Sequence, residues 1–262
     1  VMAAAAIGGA TRLFSVGGAG AVGAMAWGTE QVPRCAAIVG PGNRWVLEAK
    51  RQVAGEVIID SPAGPSEVLV VADEGCAPPE WLAAELVCQA EHDPDAAVAF
   101  ITTSPELLAQ VRAALAEQVW RTPRREVVET ALRTMGGLLL AADHDEVLAF
   151  TEDYAAEHLQ LCTRDPHADL ARLTTSGTVF VGAPASVAFG DYMTGANHVL
   201  PTAGTARSFS GLSVLNFLRS YTWQELSPAG AAALAEPVGT LADAEGLPAH
   251  AAAARLRATS PS

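Results

Sequence analysis

The sequence predicts an α/β protein built on a largely parallel sheet. Three observations carry this. Helix-like and strand-like segments alternate along most of the chain. The strand-like runs are β-branched and continuously apolar. Half of the 262 residues are apolar and only 17% are charged, which supplies a core and argues against intrinsic disorder. A parallel strand is covered on both faces and therefore reads as an unbroken apolar run, while the helices between strands provide the crossovers.

The elements follow in order. The chain opens on helix-like VMAAAAIGGA, with no cap or lead-in, as expected of a chain that lacks an N-terminal portion. Strand-like RLFSV comes next, then a glycine-rich turn and helical AVGAMAWGTE. CAAIVG reads as a strand, GPGN as a turn and RWVLEAKRQV as a helix. VIID and the turn SPAGPS lead to EVLVVAD, the clearest buried strand. Helix WLAAELVCQAEHD, strand AVAFITTS, amphipathic helix PELLAQVRAALAEQVWR, strand-like GGLLLAAD, helix HDEVLAFTEDYAAEHL and strand TVFVG continue the alternation. After about Ser210 the chain turns helical and alanine-rich, a separate packing element, and ATSPS reads as a frayed end.

Composition excludes several functions. A formal charge of −13 leaves no clustered Lys and Arg for a phosphate backbone, so no nucleic acid is expected. No apolar run approaches the roughly eighteen residues of a membrane span. The opening lacks a basic region and is broken by Arg12, so it is not a signal peptide. The four cysteines, Cys35, Cys76, Cys88 and Cys162, are widely spaced without a C-x-x-C pair, which fits reduced thiols in a cytoplasmic protein.

Six stretches are candidates for binding or chemistry. GAGAVG, Gly18 to Gly23, matches G-x-G-x-x-G, but no acidic residue follows at the end of the next strand, so the dinucleotide fingerprint is incomplete. Asn43 in GPGN suits a turn or a contact to ribose or phosphate. Gln89 and His92 lie three apart at a helix end and share a face, as metal ligands or as capping and surface groups. Glu157 and His158 are two groups able to act as general acid and base near neutral pH, or a solvated helix end. The loop FGDYMTGANHVLPT carries Asp191 and His198, and the alanine-rich tail carries Glu245 and His250. Four of the six histidines fall in these clusters, which lie far apart in sequence, as sites assembled from several loop ends do.

Read together and in order, VGPGN with EAKRQV, AGPSEVLVVAD, QAEHDP, EHLQL, GDYMTGANHVLPT, GTARSFSGLSV and AEGLPAH resemble the histidinol dehydrogenase family from residue 1 to about Arg257. The resemblance implies incomplete Rossmann-like lobes with largely parallel sheets and a helical C-terminal dimerisation tail. It divides the chain into the remainder of an NAD-side lobe at 1–66, a zinc and substrate lobe at 67–209 and the tail at 210–262. It implies zinc- and NAD-dependent oxidation of L-histidinol, through the aldehyde, to L-histidine. Carried over, the zinc ligands are Gln89, His92, Asp191 and His250, and the bases are Glu157 and His158. These six residues, with Ser66 and Glu245, are the expected contacts to the amino alcohol, and Asn43 and Gly20 stand at the NAD contacts. The resemblance also implies a homodimer in which the tail residues Glu245 and His250 complete the partner's site.

Two departures bear on function. Gly20 stands where the family has glutamine, and the family's N-terminal arm and much of its cofactor lobe are not in this sequence. SVLNFLRSYTWQEL also departs from the biosynthetic pattern. The alternatives are therefore a related dehydrogenase of another polar alcohol and an inactive zinc-binding fragment.

Overall fold

The computed structural model of the protein describes residues 1–61 and 64–259. The chain divides into two compact units, Val1–Leu218 and Arg219–Ser262.

The first unit opens with α1 (Met2–Ile7) and α2 (Gly18–Trp27). Residues 12–16, read as a strand, form no strand: Leu13 and Val16 are exposed, and an edge without a partner ladder does not hold β structure. β1 (Ala37–Ile38) pairs in parallel with β2 (Ile58–Ile59) around the connecting α3 (Arg44–Val53). Val22, Ala26, Ile38, Val53 and Val57 form a small core beneath them. Pro62 and Ala63, the middle of the turn SPAGPS, lie outside the described residues, as do the last three of ATSPS.

β3 (Glu67–Ala72) then begins the main sheet. It is followed by α4 (Pro79–Ala90), β4 (Ala97–Thr102), α5 (Pro105–Arg121), α6 (Arg125–Met135) and β5 (Gly136–Leu140). The chain crosses back through α7 (His144–Tyr154) to β6 (His158–Cys162), and continues through α8 (Pro166–Leu170), β7 (Thr178–Val181) and α9 (Val187–Tyr192). The strand order is β5-β4-β3-β6-β7, with every pair parallel. That is a doubly wound α/β sheet.

The period-two geometry of strands explains the unbroken apolar runs. Val68, Val70 and Ala72, with Val98 and Phe100, pack under α4, α5 and α6 on one face. Leu69 and Val71, with Ala99 and Ile101, pack against Val147, Leu148, Leu159 and Leu161 on the other. Each such valine, leucine, isoleucine or phenylalanine contributes about 1.5–3 kcal/mol of burial.

The second unit comprises α10 (Pro228–Ala244) and α11 (Pro248–Arg255). Arg255 ties them together, donating to Glu236 at 3.0 Å and Asp243 at 2.8 Å, while Ala235, Ala242 and Ala251 are buried.

Candidate active and metal site

Glu157 and His158 do not lie on a helix, although the helical pattern of HDEVLAFTEDYAAEHL runs through them. Ala155, fully buried, takes a left-handed conformation (φ 53°) and its N–H closes on the Thr151 carbonyl, which ends α7. His158 then opens β6 opposite Val68. Both side chains are buried at the amino end of the sheet, 5% and 4% exposed.

One residue of β3 organises the pair. The Glu67 N–H donates to Glu157 Oε2 at 2.7 Å, and the Glu67 carbonyl accepts from His158 Nδ1 at 2.9 Å. A carbonyl has no proton to give, so Nδ1 carries one and Nε2 is the nitrogen left to exchange. Nε2 faces Asp191 Oδ1 at 3.7 Å and makes no hydrogen bond. Asp191 was expected on a loop; it lies instead in the last turn of α9. Gly190 permits this approach, because a Cβ there would meet the Phe180 ring of β7 at 2.6 Å.

Burial alone would favour neutral His158, but Asp191, Glu157 and the Glu67 carbonyl outweigh it and push its pKa up to about 10. His158 in turn holds Asp191 below the usual carboxylate range. Burial pushes Glu67 up to about 7. The Ala203 amide opposes that rise and the neighbouring Glu157 charge adds to it. Between about pH 4.5 and 7, therefore, folded Glu67 holds a proton that the unfolded chain has released, so stability falls as pH rises through this window. The full difference is on the order of 3 kcal/mol. Glu67→Gln is expected to be more stable than the parent at pH 8 by up to that amount and equal to it at pH 4.5. Urea unfolding at the two pH values checks this, and an identical difference at both would refute it.

Gln89 ends α4 and His92 follows in the turn, its N–H on the Gln89 carbonyl at 3.2 Å. Gln89 is 1% exposed, yet neither its carboxamide oxygen nor its nitrogen has a partner. Buried polar groups are nearly always satisfied, so an orphaned amide three residues before the cleft-lining His92 fits a cation as its missing partner. Among the described residues, no three His, Cys, Asp or Glu side chains gather into a metal-binding group. Of the residues expected to hold a metal, Gln89, His92 and Asp191 are an amide, an imidazole and a carboxylate.

These elements converge on a cleft of about 340 Å³ lined by Ser66, His92, Glu157, His158 and Asp191. Pro41, Gly64, Tyr192, His198 and Leu200 complete it. Gln89 sits one turn before His92 without lining the cleft. Asn43 caps α3, its Oδ1 accepting from Trp45 and Val46 N–H, and Gly20 lies exposed in the first turn of α2. Neither lines the cleft. Glu245, the C-cap of α10, and His250, in the first turn of α11, are exposed in the second unit. Sequence reasoning missed Glu67; its signal was a carboxylate heading a continuously apolar strand.

The family profile described as histidinol dehydrogenase matches residues 1–258. The chain belongs to the histidinol dehydrogenase family. It is 50% identical to the histidinol dehydrogenase of Halobacterium salinarum over 98% of this chain and 60% of that protein. The Haloarcula marismortui histidinol dehydrogenase is 49% identical over 98% and 61%. The crystal structure of histidinol dehydrogenase from Elizabethkingia anophelis superposes with a TM-score of 0.89 at 37% identity, covering 97% of this chain and 58% of that one. The chain thus spans about three-fifths of the length of these histidinol dehydrogenases.

Proposed function

We propose that the protein takes part in histidine biosynthesis, oxidising L-histidinol through L-histidinal to L-histidine with zinc and NAD. The observation that carries the reading is the buried Glu157–His158 pair, with His158 facing Asp191, in a cleft sized for a small polar alcohol; the orphaned carboxamide of Gln89 lies three residues before His92 of the lining. Gln89, His92 and Asp191 would hold zinc, and His250 of a second copy would supply a further donor. When bound, zinc would supply Lewis-acid polarisation of the amino alcohol, and NAD would accept the hydride.

The chain's own residues do the rest. Nε2 of His158, with Nδ1 held by the Glu67 carbonyl, takes the hydroxyl proton of the alcohol. Asp191, engaged with a cation, contributes less to holding His158 charged, which moves the imidazole toward the range of a working base. Glu157 accepts a proton from the water that hydrates the aldehyde. Ser66 and Glu245 bind the substrate. For NAD, Asn43 caps α3 and Gly20 stands in the exposed first turn of α2, where amides without a side-chain cap favour a phosphate. The exposed positions of Glu245 and His250 leave both free for a partner's cleft. The exposed Leu215 and Phe217 of the first unit and Tyr221 and Trp223 of the second offer apolar surface for a homodimer. The 1–66, 67–209 and 210–262 divisions are proposed as the NAD-side, zinc and tail regions. No described helix is long and apolar enough to cross a membrane, and we place the reaction in the cytoplasm.

Calorimetry of L-histidinol binding with and without zinc tests the reading. Zinc-dependent binding is expected, and His92→Ala should lower zinc affinity at least about 100-fold. Zinc uptake without histidinol binding would redirect the proposal to another polar alcohol. Failure to take up zinc would refute the ligand set and favour a non-catalytic role.

A further inference from the structure

We infer that the Glu67 side chain is a positioning residue that clamps the two walls of the cleft around the bases. This rests on the function proposed above. Gly64 and Ser66 form one wall, immediately before β3; His198 and Leu200 form the other, from the loop after α9. The walls are joined at two points. The Gly64 N–H donates to Thr202 Oγ1 at 2.5 Å, and the Ala203 N–H donates to Glu67 Oε1 at 2.6 Å. Ala203 takes a left-handed conformation (φ 55°), unfavourable for a residue with a Cβ, so its contact holds the loop in a shape it would otherwise leave.

The same residue holds the chemistry. Its peptide N–H fixes Glu157 and its carbonyl fixes His158. Main chain and side chain of Glu67 therefore set both bases and the opposite wall in one frame, which is what a substrate positioned for two successive oxidations requires. An apolar residue would serve β3 equally well as packing, since the rest of the strand is apolar and buried. Burial of this carboxyl raises its pKa to about 7, a destabilising arrangement that function rather than folding explains.

Glu67→Ala removes the acceptor; Glu67→Gln keeps one and removes the charge. In the zinc-loaded protein, Glu67→Ala is expected to raise KM for L-histidinol about tenfold or more, to change kcat less, and to leave zinc content intact. Glu67→Gln is expected to return KM to within about threefold of the parent. Amide hydrogen exchange at residues 199–204 should be faster in the alanine variant and restored in the glutamine variant. Parent-like KM in Glu67→Ala, or equal impairment in both variants, would overturn the clamp. If the parent itself fails to bind L-histidinol, the proposed function fails. Exchange then decides the clamp alone, supporting it if only alanine accelerates the loop and overturning it if exchange is unchanged.

Discussion

Under the proposed function, Glu157→Gln and His158→Asn are each expected to lower turnover of L-histidinol by about 10²–10⁴-fold, with zinc content unchanged. The two should fail at different steps. Nε2 of His158 is the exchangeable nitrogen, because Nδ1 is spent on the Glu67 carbonyl, so its loss should block the first oxidation. Glu157 has one carboxylate oxygen engaged by the Glu67 N–H, and the water-activating role proposed for it falls to the other. Its amide variant should pass the first oxidation and accumulate aldehyde. Rapid-quench analysis with an aldehyde trap distinguishes these outcomes. Parent-like turnover in either variant would remove that residue from catalysis. Because the two residues share Glu67 as their support, the double variant is expected to lose less than the product of the single losses.

Lys50→Met is expected to destabilise the protein by about 3–5 kcal/mol. Lys50 and Asp60 form an ion pair with side chains only 5% and 1% exposed. Lys50 Nζ also donates to the Gly40 carbonyl at 2.8 Å, and Asp60 Oδ2 accepts from the Gly40 N–H at 2.6 Å. Removing the ammonium strands a buried carboxylate and a carbonyl together. The consequence reaches the cleft, since Pro41 lines it and Gly40 takes a φ of 116° that glycine tolerates. Asp60→Asn in the Lys50→Met background removes the stranded charge yet keeps an acceptor for the Gly40 amide, so it should recover part of the loss. Urea unfolding of parent, single and double variants measures this. A loss below about 1 kcal/mol in the single variant would mean the pair is not what holds this turn.

Much of the fold was legible locally because local physics decides it. EVLVVAD and AVAFITTS are apolar at every position, and only a strand buried on both faces uses such a run. PELLAQVRAALAEQVWR is bounded by Ser104, whose hydroxyl accepts from the Leu107 N–H, with Pro105 in the first turn, so its helix, Pro105–Arg121, was written in its own residues. RWVLEAKRQV was likewise marked by the Asn43 cap. The spacing of Gln89 and His92 placed them within one turn of a helix end.

What only the tertiary structure decided lies where the local pattern is silent. The helical period of TEDYAAEHL gives no reason to stop at Tyr154. The stop comes from a buried alanine in a left-handed conformation, held by packing and by the parallel pairing of β6 with β3, ninety residues earlier in the chain. RLFSV has strand composition but no partner ladder, and composition cannot supply one. Asp191 joins a helix rather than a loop because Gly190 lets α9 settle on Phe180. The sequence by itself determined the sheet-forming runs, the helix caps and the family to which the chain belongs. The assembly of Glu67, Glu157, His158 and Asp191 around one cleft needed the fold, because their contacts span as many as 91 residues of chain and only the register of parallel strands brings them together.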